Sequence, residues 1–187
     1  MMRFRPDDAL LVVDIQRDFC SGGALAIAGA DGIIPTINRL IGEATAASAT
    51  VVACRDWHPG NHVSFEARGG PWPPHCVAGT LGAELHPDLR LPLETPLVSK
   101  GTERDKDPYS AFEGTGLIER LRRRGTRRIL ICGLALDFCV RASALDAARA
   151  GFETHVALGA TRPVTQAAGE VAVAEMAKAG VILDAVT

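Results

Sequence analysis

Residues 128–151, RILICGLALDFCVRASALDAARAG, decide how the chain folds. Residues 129–132 form a short apolar run closed by Gly133, the pattern of a buried strand. From Asp137 the spacing becomes helical. Val140, Ala144 and Ala147 share one face, Arg141 and Arg149 reach towards water, and Gly151 supplies the C-terminal stop. Asp137 suits an N-cap, which places Cys139 in the first helical turn. A thiol there feels the positive end of the helix dipole, so the spacing predicts a lowered pKa and a favoured thiolate. Strand, tight turn, cysteine, helix is the layout that exposes a nucleophile on an α/β sheet. A buried structural cysteine fits the same stretch equally well, and these residues alone leave both readings open.

Working outward, the same alternation recurs. Residues 9–13 (ALLVV) are a continuous apolar run ended by Asp14, read as a central parallel strand, and residues 16–23 are loop. Residues 32–47 carry Ile33, Ile34, Ile37, Leu40, Ile41 and Ala44 at helical spacing, with Asp31 as cap and Pro35 in the first turn. Residues 50–54 (TVVAC) read as a second strand. The loop 55–74 that follows is rich in Gly, Pro and His, and loops of that length in compact domains are usually functional or disordered. A short strand at 97–99 leads to Lys100, and a polar loop at 101–109 precedes a helix at 116–124. A strand at 154–158, a helix at 166–179 and a strand at 181–183 complete the chain. Strands alternating with helices predict one α/β domain over residues 1–187, a three-layer sandwich whose parallel sheet is covered on both faces.

Composition narrows the function. Hydrophobic residues make up 47% and charged residues 22% of the 187, a globular balance, and the net charge of −2 provides no global field for nucleic acid or an anionic membrane. The basic run 120–128 reads as a solvated helix end and turn. Five cysteines, an odd number without mini-protein spacing, point to a reducing compartment. No signal-like or transmembrane-length apolar run is present, so a cytoplasmic location is expected.

Three side chains fall at the carboxyl ends of predicted strands, where doubly wound sheets open their crevice: Asp14, Lys100 and, beyond the next strand, Cys139. A carboxylate can take a thiol proton and an ammonium can stabilise the resulting thiolate. A turn aspartate and a surface lysine are the commoner readings of each residue taken alone. A second group is Asp56 and His58, then His62, then Trp72 and His75. Asp-x-His after a strand puts both side chains on one side, and the proline-stiffened WPPH segment offers a further imidazole. One carboxylate with two imidazoles suits Zn²⁺, Fe²⁺ or Mn²⁺.

The segments DIQRDFCSGGAL, DWHPGNHVSF, WPPHCV, SKGT, DPYSAFEG and CGLALDFCVRASALDA, in this order and spacing between residues 9 and 151, resemble the nicotinamidase (pyrazinamidase) branch of the isochorismatase-like cysteine hydrolases. The resemblance implies a six-stranded parallel sheet in the order 3-2-1-4-5-6 and hydrolysis of nicotinamide to nicotinate and ammonia, a step of NAD salvage. It implies a catalytic triad of Asp14, Lys100 and Cys139, and one divalent metal ion per chain on Asp56, His58 and His75, with zinc the first expectation. His62 matches a position that joins the metal shell in some members. Phe19 and Trp72 match the aromatic walls flanking the pyridine ring. Leu134–Ala135 matches a non-proline cis peptide, and the N–H groups of Ala135 and Cys139 match the oxyanion donors. Leu136 stands where many members have Thr, and Gly159 near a usual Asp. The expected partner is the small-molecule substrate, with a homo-oligomer left open and no nucleic acid or membrane expected from the charge and hydropathy. Another amidase or isochorismatase of the same fold is the alternative; a non-catalytic metal-binding or thiol redox protein is the reading from another class, its redox form disfavoured because Cys139 has no C-x-x-C partner.

Overall fold

Alternate residues of the first apolar run serve two different cores. In β1 (Asp8–Val13), all of it buried, Leu10 and Val12 pack with α1 (Ile34–Ala46), whereas Ala9, Leu11 and Val13 pack on the opposite face. Such two-sided burial is what a central parallel strand requires. The computed structural model describes residues 2–185; Met1, Val186 and Thr187, which fall within the expected domain 1–187, lie outside them. Six parallel strands, β1, β2 (Thr50–Asp56), β3 (Leu97–Lys100), β4 (Arg128–Leu134), β5 (Glu153–Arg162) and β6 (Ile182–Asp184), lie in the order β3-β2-β1-β4-β5-β6. The architecture is the expected three-layer α/β domain.

On one face α1 buries Ile34, Ile37, Leu40, Ile41 and Ala44. Each large aliphatic side chain of that stripe contributes about 1.5–3 kcal/mol of burial. On the other face α2 (Leu117–Arg123), α3 (Arg141–Arg149) and α4 (Gln166–Lys178) supply Leu117, Leu121, Ala144, Ala147 and Met176. Among the described residues no helix is long and apolar enough to cross a membrane.

Two helix starts differ from expectation. Asp31 lies in a 3-10 turn ahead of α1 and caps nothing; its carboxylate accepts instead from the Ser21 N–H (3.0 Å) and Oγ (2.6 Å). Asp137 is likewise no N-cap. Residues Leu136–Val140 form a π-helical turn before α3, and the Asp137 carboxylate accepts from the Val164 N–H at 2.9 Å. In both cases a backbone or hydroxyl donor from another loop outcompetes the helix terminus. β5 also runs past the expected end at residue 158 to Arg162, because its register against β4 shifts between Ile131 and Gly133 and Gly159 is carried through the irregularity.

Gly133 lets the two central strands meet. Its φ is +114°, and a Cβ there would lie 2.0 Å from the Val13 carbonyl oxygen. Gly133→Ala is therefore expected to cost more than about 3 kcal/mol in urea unfolding. Gly125→Ala, at φ +74° with nothing within 4 Å of a new Cβ, is expected to cost about 1–2 kcal/mol, the backbone strain alone.

Candidate active site

The strand order places four polar groups side by side. Lys100 ends β3 and pairs in register with Asp56, which ends β2. Asp14 follows β1, and Cys139 lies in the turn that follows β4. All four are buried. Lys100 Nζ lies 2.5 Å from Asp56 Oδ1, 2.9 Å from Asp14 Oδ2 and 3.2 Å from Cys139 Sγ. The three groups expected from the strand ends are thus brought together, with Asp56 as a fourth member.

Burial alone would lower the Lys100 pKa, but Asp14 and Asp56 outweigh it and hold the ammonium protonated. Burial raises the Asp14 carboxyl above its ordinary range, against the pull of Lys100. Burial acts the same way on Asp56, yet Lys100 and His58 hold that carboxyl well below the usual range. The lowered thiol pKa expected for Cys139 is not found. Burial pushes this thiol well above its ordinary value, with Lys100 pulling the other way and Asp14 and Asp56 adding to the rise. The helix-dipole expectation fails because Cys139 lies inside a π-helical turn, 6% exposed, where desolvation of a thiolate dominates. Cys132 is fully buried in β4, and burial pushes its thiol up as well.

Cys139 opens on a narrow pocket whose walls are largely aromatic: Phe19, Trp72, Tyr109 and Phe138. Trp72 Nε1 donates to Tyr109 Oη (3.2 Å), and the Trp72 ring meets Phe138 edge-on at 5.2 Å. Asp56 and His75 reach the same pocket. Phe19 and Trp72 were anticipated; Tyr109 and Phe138 were not, since nothing in their local pattern separates a pocket wall from core. The Leu134–Ala135 peptide is cis.

Asp56, His58 and His75 present ligand atoms within 4.8 Å of one another. His58 Nδ1 donates to the Gly101 carbonyl (2.9 Å) and His75 Nδ1 to the Pro73 carbonyl (2.8 Å), which leaves the Nε2 lone pair of each ring for a metal. Burial lowers the His75 pKa and so keeps that ring neutral. Burial opposes charge on His58 too, but Asp56, whose Oδ2 lies 3.6 Å from its Nε2, raises the pKa; a cation bound at Nε2 would displace that proton. These donors fit a divalent ion. His62 does not join them. Its Nε2 donates to the Lys106 carbonyl and its Nδ1 pairs with Ser64 Oγ, each at 2.7 Å, and its ring stacks on His58 at 4.1 Å.

Two other groups bring metal-type donors equally close and show why proximity alone is not enough. Asp14, Asp56 and Cys139 already surround the Lys100 ammonium. In the group Cys20, Asp31 and His86, the His86 Nδ1 accepts the Asp88 N–H (3.2 Å), so its Nε2 carries the proton towards Asp31.

Sequence reasoning missed two supports. Gln16, fully buried, accepts the Asp56 N–H with Oε1 (2.8 Å) and donates with Nε2 to the carbonyls of Asp56 (2.8 Å) and Ala83 (2.9 Å). Gly101, at φ +63°, lies so close to the His58 ring that a Cβ would sit 2.3 Å from it. An amide two residues past Asp14 and a glycine directly after Lys100 were the available signals.

The Isochorismatase domain model matches residues 8–185. The chain is 43% identical to the nicotinamidase of Acinetobacter baylyi, over 83% of this chain and 81% of that protein. The pyrazinamidase of Pyrococcus horikoshii in complex with zinc superposes with a TM-score of 0.94 at 47% identity, covering 97% of this chain and all of that one. PnC1 of L. infantum in complex with nicotinate does so at 0.90 and 38%, covering 98% and 95%. Matched over residues 8–185 and to these relatives along most of its length, the chain belongs to the isochorismatase family.

Proposed function

We propose that the protein is a nicotinamidase, hydrolysing nicotinamide, and pyrazinamide with it, to the acid and ammonia. The observation that carries the reading is a thiol that lines an aromatic-walled pocket and contacts a buried ammonium–carboxylate pair. The likeness to nicotinamidases over most of the chain supports the same substrate.

In this mechanism Asp14 accepts the Cys139 proton as Sγ attacks the carboxamide carbon. The raised basicity of a buried carboxylate suits the task, and the thiolate is generated only as it is consumed. The oxyanion is held by the N–H groups of Ala135 and Cys139 beside the cis peptide. Asp14 then returns the proton to the leaving nitrogen, ammonia departs and a thioester remains. Asp14 next deprotonates a water that attacks the thioester carbon; nicotinate leaves and Cys139 regains its proton. Lys100 keeps its charge throughout and offsets the negative charge that moves between Asp14 and Cys139. Phe19 and Trp72 flank the ring. Asp56, His58 and His75 would hold a divalent ion, zinc by preference, which supplies a Lewis acid for the ring nitrogen or its waters. Five unpaired thiols and a reaction on a diffusible metabolite support a cytoplasmic setting for this enzyme.

Ammonia release from nicotinamide tests the reading directly; no release from either nicotinamide or pyrazinamide would move the protein to another amidase of this fold. Cys139→Ala is expected to lower kcat by about 10³-fold or more while still folding, as read by circular dichroism, whereas Cys132→Ala keeps wild-type kcat. Substantial turnover by Cys139→Ala would overturn the mechanism.

The metal reading is checked by elemental analysis, which should find about one ion per chain in the wild type. His75→Ala should take that content towards zero and raise KM for nicotinamide more than it lowers kcat. Full activity in metal-free, chelator-treated protein would contradict it.

A further inference from the structure

One buried nucleophilic group touches the proposed base and has no part in the mechanism above. Cys54 lies in β2 with no solvent exposure, and its Sγ lies 3.2 Å from Asp14 Oδ1. The two residues are tied a second time, because the Asp14 N–H donates to the Cys54 carbonyl at 3.1 Å. A thiol this close to a buried carboxylate is a donor, since two anions at that distance in low dielectric would repel strongly. Cys54 does not line the aromatic pocket, so it has no route to substrate.

The contact matters because of what it leaves over. Asp14 has two oxygens, and Oδ1 is occupied by the Cys54 thiol. Oδ2 is ion-paired to Lys100 at 2.9 Å, yet it is a buried oxygen with no hydrogen-bond donor of suitable geometry. Asp14 also sits at φ +49°, a left-handed conformation sparsely used by residues other than glycine, so its orientation depends on the contacts around it. With one oxygen capped, the carboxylate cannot turn about its terminal bond without losing the thiol bond.

The geometry points to Cys54 as a positioning residue for the reaction: its S–H fixes the Asp14 carboxylate so that Oδ2 is the oxygen that exchanges the proton with Cys139. This rests on the reading of Asp14 as the base. Cys54 acts through Asp14 and lies outside the lining of the aromatic pocket.

The test uses the isosteric pair Cys54→Val and Cys54→Thr in the full chain, with Cys54→Ala as a third variant should either fold poorly. Val and Thr have the same shape, and only Thr can donate to Asp14. Cys54→Val is expected to lower kcat on nicotinamide by about 10-fold or more, a part of the contribution of a positioned base, with KM within about 2-fold of wild type and no loss of thermal stability. Cys54→Thr should return kcat to within about 3-fold of wild type, and Cys54→Ala should follow Val. The alkylation rate of Cys139 by iodoacetamide should fall in the same order, giving a readout that needs no substrate. Wild-type kcat in Cys54→Val, or equal losses in Val and Thr, would overturn the inference. Asp14→Asn, measured alongside, separates the two failures. If it is active, the base assignment falls. If it is inactive while Cys54→Val is wild-type, only the role of Cys54 falls.

Discussion

Everything around the site answers to one buried ammonium. Lys100 is 2% exposed, and a charge so placed is tolerated only when it is paired and its hydrogens are used. Asp14 and Asp56 provide the pairing and Cys139 takes a further hydrogen bond. The sheet order β3-β2-β1-β4 is also the order Lys100, Asp56, Asp14, Cys139 along the edge, since each residue ends or follows its strand. Neighbouring parallel strands lie about 4.8 Å apart, so consecutive strand ends deliver side chains within bonding distance of one another. The topology therefore sets both the fold and the charge cluster, and Gly133, by letting β4 lie against β1, serves both.

Asp56 joins two sites through its two oxygens. Oδ1 faces Lys100 and Oδ2 faces His58. Its backbone is clamped on both sides by the Gln16 amide, which also holds the loop at Ala83. A side chain shared in this way couples the candidate metal group to the proposed triad without any intervening residue. The long loop after β2 gains its order from such bonds, His62 and Gly101 packing around His58 and Asp18 accepting the Cys76 N–H at 2.7 Å.

What the sequence made legible follows from which signals are local. Apolar runs ended by a polar residue marked the strands and their carboxyl ends, so Asp14, Lys100 and Asp56 could be placed before any coordinates. The WPPH and Asp-x-His spacings likewise marked His75 and His58. Caps were misread because a carboxylate has several possible donors, and only tertiary structure brings Ser21 to Asp31 or Val164 to Asp137. Tyr109, Phe138 and Cys54 were invisible for a related reason: a residue's type states what it can bond to, and its neighbours across the sheet decide which bond it makes.

The Cys139 environment shows where a local argument reverses sign. A cysteine at a helix start in water has its thiolate favoured by the dipole, an effect of up to about 2 kcal/mol. Enclosed among Phe138, Val140 and the core of α3, the same thiol meets a desolvation cost that, with Asp14 and Asp56 beside it, outweighs the pull of the nearby ammonium. The resting proton then belongs on sulfur, and a nucleophile of that kind needs a base in contact with the same ammonium. Asp14, raised by the same burial, is the base proposed for it. In the proposed mechanism, one enclosure thus withholds the thiolate until a carbonyl carbon is present and strengthens the group that releases it.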